Sequence, residues 1–259
     1  QAFTYTNWAA GEPNNCCGGT NGLGYAGENA TQFTGTNGNW NDLFDNSSTL
    51  NYYIRETTIN AAPLTINSGS GNVTFEKAVG VGKALANFSV TGNQVNFNGA
   101  LKLDTTGATV TNTGVSAIAG SITGTGALTK NGAGALTLSG DNSYSGATNI
   151  NAGSLLVGAG GSTGSLGTGL VTNNTSLTFN RTGLLVVPST ITGTGTLTKQ
   201  GSGSVSLTAA NDYSGATTLS AGTLGIYNNT AVGSSTLTAA GGTTLLFGRA
   251  VTNFANNIT

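Results

Sequence analysis

Glu12, Pro13, Asn14 and Asn15 stand together in the stretch GEPNN, close behind Trp8, and Asn41-Asp42 follow directly on Trp40. The chain has 259 residues and 9 carboxylates, and five of these (Glu12, Glu28, Asp42, Asp45 and Glu56) fall within the first 57 positions. Carboxylates and side-chain amides are hard oxygen donors. Gathered in one place they suit Ca2+, which takes about six to eight oxygens near ~2.4 Å. Catalysis has much less to work with. There is no His for a nucleophilic triad or a zinc site. Beyond Glu56 the carboxylates are Glu76, Asp104, Asp141 and Asp212, scattered singly, the last two beside Asn in turn-like DN and ND pairs. Acid–base pairs need clustered carboxylates, so the chain reads as no enzyme. The adjacent Cys16-Cys17 leave three readings open: a strained vicinal disulfide, metal binding, or local loop packing.

The elements that must carry these residues follow from composition. Charged residues make up 7% of the chain, against about a quarter in ordinary globular proteins. Gly is 42 residues and Pro only 3. Short Leu, Ile, Val and Thr runs alternate with Gly and Asn almost throughout, which predicts many short strands joined by tight turns. A net charge of −1 without a basic run leaves no electrostatic footprint for nucleic acid or anionic lipid. No apolar stretch approaches the ~20 residues of a membrane-spanning helix. The chain opens at Gln1 and ends inside a repeat, so it is expected to be a mature or excised piece of a longer protein.

Composition changes near residue 57. Residues 1–57 hold both Trp and both Cys, and the Gly/Thr/Asn rhythm takes over after them. That rhythm repeats. ITGTGALTKNGAGALTLSGDNSYSGATNINAGSLLV (122–157) aligns without a gap to ITGTGTLTKQGSGSVSLTAANDYSGATTLSAGTLGI (191–226), at an offset of 191 − 122 = 69. A looser echo follows, and Ile258-Thr259 falls where a third ITG would begin. Within a unit the runs ALTL, TNIN and SLLV alternate apolar with small polar residues, as strands do. Repeated short strands with Gly-rich turns predict a parallel β-helix, or β-solenoid. Leu and Ile should stack inside, Asn and Thr should form ladders, and Gly should take the positive-φ corners. At roughly 20 residues per turn, a unit would hold three to four turns, and residues 58–259 about ten, on the order of 45–50 Å of rod. Lys130 and Lys199, at matching places in the two units, are expected to be solvent-facing turn residues.

The motif GxGxLTKxGxGxLxLxxxNxYSGxTxxxAGxLxx resembles the passenger-associated repeat of bacterial autotransporters and related giant surface proteins. The resemblance is dense over 120–160 and 189–227 and weaker over 58–118. It implies a right-handed parallel β-helix that serves as a stalk and as a scaffold for folding during secretion. It also implies a place outside the cell or on the bacterial surface.

Residues 8–56 resemble the C-terminal half of a C-type lectin-like domain. The resemblance rests on the Trp before GEPNN, the ENATQF segment, the WND triplet at 40–42 and the closing YYIRE. It implies a calcium site formed by Glu12, Asn14, Glu28, Asn41 and Asp42. It also implies that Glu12, Asn14, Glu28 and Asn41 read two vicinal hydroxyls of a mannose- or glucose-type glycan. The sequence departs from that family in two ways: Ala30, Asp45 and Arg55 stand where disulfide cysteines are expected, and CCGGTNGLGYAG lengthens the gap between Glu12 and Glu28.

These readings combine into one expectation. The chain is all-β: a partial C-type-lectin-like region at 1–57, degenerate rungs at 58–118, and autotransporter-type repeats at 119–259, with units starting near 122 and 191. Its expected role is in a secreted or surface adhesin that binds glycan through Ca2+. The alternative is a purely structural fibre or surface layer, in which solenoids associate end to end and the lectin-like part only caps them.

Overall fold

The computed structural model describes residues 64–81 and 86–259, together with the backbone of two further strands, Ala30–Thr34 and Asn39–Leu43. Those two strands pair antiparallel, with Thr31 opposite Asp42 and Gln32 opposite Asn41. From Thr65 onward the chain is a parallel β-solenoid, with no helix among the described residues.

Each turn of the coil passes three sides in the same order. The first side is a seven-stranded sheet that runs from Thr65–Asn67 to Ile191–Thr192. The second is a nine-stranded sheet from Val73–Phe75 to Leu237–Ala239. The third begins with Leu101–Leu103 paired to Ile122–Gly124. It closes with a four-stranded sheet from Leu185–Val187 to Thr244–Phe247. Between these two sheets, backbone bonds carry the third side forward, as from Ser145 N to Gly124 O (2.9 Å) and from Thr168 N to Tyr144 O (2.9 Å). The second side thus records nine turns, one fewer than the ten expected. Eight spacings between nine stacked strands give a rise of roughly 38 Å.

A typical turn is short. Thr129 lies opposite Thr109, a turn of 129 − 109 = 20 residues. The alternation read from the sequence holds: strands such as Phe88–Gly92 and Ala108–Asn112 bury every second residue. Those inward positions stack from turn to turn. On the second side Phe75, Phe97, Ile118, Leu138, Val157 and Phe179 form one column, with the Phe75 and Phe97 rings stacked at 4.5 Å. Each such side chain contributes about 1.5–3 kcal/mol by leaving water. The outward positions form the expected polar ladders: Asn151 donates to Asn131 (3.0 Å), and Asn93 donates to Asn72 (3.2 Å).

Glycine takes the corners for steric reasons. Gly124 and Gly193 sit at matching places with φ of 103° and 100°, and a Cβ there would lie 1.9 Å from Leu103 O and 2.3 Å from Asn173 O. No L side chain fits either the backbone angle or the space.

The two repeat units do not lie on the same sides of the coil. In the first unit Ile122 pairs with Leu101 on the third side, and Leu128 pairs with Ala108 on the first. In the second unit Ile191 pairs with Val171 on the first side, and Leu197 pairs with Leu177 on the second. The cause is arithmetic. A unit of 69 residues exceeds three 20-residue turns by about one side. Ile258 continues the series, because it bridges to Leu237 on the second side.

Candidate functional site

Of the calcium and glycan candidates, Glu12, Asn14 and Glu28 lie outside the described residues. Asn41 and Asp42 are neighbouring positions on the strand Asn39–Leu43. Among the described residues no group of three or more Cys, Asp or Glu is placed to hold a metal ion. The polar chemistry that the structure does bring together lies inside the solenoid, at positions the repeat shares.

Lys130 and Lys199 correct the expectation of solvent-facing turns: both are fully buried, at 0% exposure. Each stands in an inward column, Lys130 between Val110 and Ile150, and Lys199 between Phe179 and Leu219. The aliphatic stem fills the column and the ammonium reaches the corner. There Lys130 Nζ donates to the carbonyls of Asn131 (2.7 Å), Gly132 (2.8 Å) and Ala152 (3.1 Å). Lys199 repeats the arrangement with Gln200 (2.8 Å), Gly201 (2.8 Å) and Ala221 (3.0 Å). An ammonium has three N–H donors and no acceptor, so three carbonyls satisfy it fully. Burial pushes the Lys130 ammonium down to about 8 and lowers that of Lys199 as well. The sequence held a signal for this. In Leu128-Thr129-Lys130, period 2 places Lys130 on the side of Leu128, whereas the charge alone suggests solvent.

The NxYSGxT part of the motif forms a second buried set. The Asn142 side-chain carbonyl accepts from Ile122 N one turn back (2.7 Å), and its amide donates to Ser165 O one turn ahead (2.6 Å). Asn211 does the same with Ile191 N (2.8 Å) and Ala231 O (2.5 Å). Tyr144 is fully buried, and its hydroxyl shares a hydrogen bond with Thr148 (2.7 Å); Tyr213 and Thr217 match at 2.6 Å. Burial pushes both phenols up from their ordinary value. Gly146 and Gly215 lie against the neighbouring turn, where a Cβ would come within 2.3 Å of Gly126 and 2.2 Å of Gly195.

The first unit also carries an irregular loop over 158–164. Arg181 is buried beneath it and donates to the carbonyls of Ser162 and Gly164. Asp141 accepts from Gly164 N (3.0 Å) and lies 3.8 Å from the guanidinium. Asp141 and Arg181 therefore hold a loop. All of these groups are occupied in joining one turn to the next, and none faces a cavity where a substrate would react.

Comparison with known proteins agrees with this architectural role. The family model described as Passenger-associated-transport-repeat matches residues 128–157 and 197–226. Those two stretches contain the lysine cages and the Asn and Tyr–Thr sets described above. The chain is also similar to the Adhesin BmaC autotransporter of Brucella suis biovar 1 (strain 1330), at 44% identity over 88 residues. That similarity covers 32% of this chain and 3% of the relative. No solved structure matches. The repeat region is thus a β-solenoid built on autotransporter passenger repeats, and it spans a small part of the length of the adhesin it resembles.

Proposed function

We propose that this chain is a segment of the passenger of a bacterial surface adhesin, and that its solenoid is the stalk. The observation that carries this reading is the use made of the repeat motif. Its Leu, Gly, Lys, Asn, Tyr and Thr positions are all consumed in holding turns together, and the resulting coil is a rod with no reactive centre among the described residues. The printed name of the similar Brucella protein supports the adhesin assignment and a place at the cell surface. The test is labelling of intact cells of the encoding bacterium with antibodies against residues 64–259. Labelling without permeabilisation, and weaker attachment when the coding segment is deleted, is expected. Labelling that requires permeabilised cells would overturn the reading.

A sharper form adds recognition of a mannose- or glucose-type glycan through Ca2+ held by Glu12, Asn14, Glu28, Asn41 and Asp42. Its support is the order of the motifs in residues 8–56 and the oxygen chemistry of that set. Calorimetry with Ca2+ and mannose tests it. Heat that is lost in Glu12→Gln supports it, and no heat at millimolar Ca2+ removes it. End-to-end self-association is the structural alternative. It is favoured by the strand Thr244–Phe247, which pairs on one side only and leaves Leu246 48% and Phe247 43% exposed. A sedimentation coefficient that does not change with concentration would exclude it.

A further inference from the structure

The positions of the repeat units around the coil have a consequence for how the protein displays what it carries. Ile122 opens its unit on the third side, Ile191 opens the next on the first side, and Ile258 stands at the start of a further ITG on the second. The same step separates every matched pair. Leu136 lies on the second side, and its counterpart Val205 on the third. Thr148 lies on the first, and Thr217 on the second. We infer that the 69-residue unit is a phase-setting spacer, so that each unit turns whatever follows it by one side, about a third of a turn, around the rod axis. The number of units then fixes the direction in which a distal segment faces. A residue at one repeat position returns to the same side only after three units, a rise of roughly 50 Å. A flat partner lying along the rod therefore meets a given repeat position once in every three units, and no side becomes a continuous repeated face. This inference follows from register and does not depend on the adhesin reading.

Cross-linking tests it directly. Deleting residues 128–196 joins Ala127 to Leu197 and preserves the motif across the junction. In the shortened chain Thr198 should take the place of Thr129, which lies opposite Thr109 on the first side. In the full chain Thr198 lies opposite Thr178 and Thr218 on the second side. Neighbouring ladder positions are ~4.8 Å apart, within disulfide range. With Cys16→Ser and Cys17→Ser in the background, Thr109→Cys/Thr198→Cys should cross-link on oxidation in the shortened chain and not in the full chain. In the full chain, Thr178→Cys/Thr198→Cys should cross-link and Thr129→Cys/Thr198→Cys should not. The full-chain pairs give a result even if the shortened chain does not fold. A folded shortened chain without the Thr109–Thr198 link would overturn the inference, as would a Thr129–Thr198 link in the full chain.

Discussion

Lys199 Nζ lies 3.0 Å from the carbonyl oxygen of Ala221, which belongs to the following turn of the coil. The contact joins two turns through a buried cation that has no carboxylate beside it. The stem of Lys199 fills a column between Phe179 and Leu219, and its charge is met by carbonyl dipoles alone.

Removing the cation leaves those carbonyls without their donor. Lys130→Met and Lys199→Met keep the stem volume and lose three charge-assisted bonds each. Each is expected to lower stability by roughly 2–3 kcal/mol, measured by denaturant unfolding. An unchanged midpoint would mean that the corner carbonyls find other partners.

Alkaline pH acts on the lysines and the tyrosines in opposite directions. Lys130 titrates at about 8 in the folded chain and near its ordinary 10.5 when unfolded. Between those values the unfolded chain holds more protons, so stability rises with pH. Tyr144 and Tyr213 are held above their ordinary 10.0. Once the unfolded phenols ionise, the folded chain holds more protons and stability falls. The melting temperature should climb from below pH 8 to about pH 10 and then drop. Lys130→Met should flatten the climb, and Tyr213→Phe should soften the drop. A monotonic fall from pH 7 would contradict the assignment.

The corner glycines divide into two kinds. Gly193→Ala meets Asn173 O at 2.3 Å with φ at 100°, and is expected to cost about 3 kcal/mol or more. Gly161→Ala meets nothing within 4 Å and is expected to change stability by less than ~0.5 kcal/mol. Paired thermal melts of the two variants distinguish a steric corner from a merely glycine-rich loop.

Much of the solenoid was legible in the sequence because period 2 and glycine spacing are direct physical signals. Leu128, Leu136 and Leu155 are buried as alternation predicts, and Gly124, Gly132 and Gly153 have positive φ. Lys130 was misplaced because its charge was given more weight than its period, although a long aliphatic stem allows a lysine to occupy an apolar column. The rotation of units needed one more quantity, the true turn length. Only register such as Thr109 opposite Thr129 shows that 69 residues overshoot three turns. The candidate calcium set drew on motif order in a region where Glu12, Asn14 and Glu28 lie outside the described residues. No periodic signal links those loops to the strand that carries Asn41 and Asp42.

The pair of Arg181 and Asp141 has a wider meaning. It is the one ion pair among the described residues, at 3.8 Å. The ladders along the outside of the coil are built from amides and hydroxyls, as in Asn151 on Asn131, Asn149 on Thr129 and Thr113 on Asn93. Dissolved salt weakens attractions between charges, and it has little to weaken in such a wall. The coil is thereby suited to a setting whose salinity nobody regulates: it should keep its form equally in rainwater and in brine.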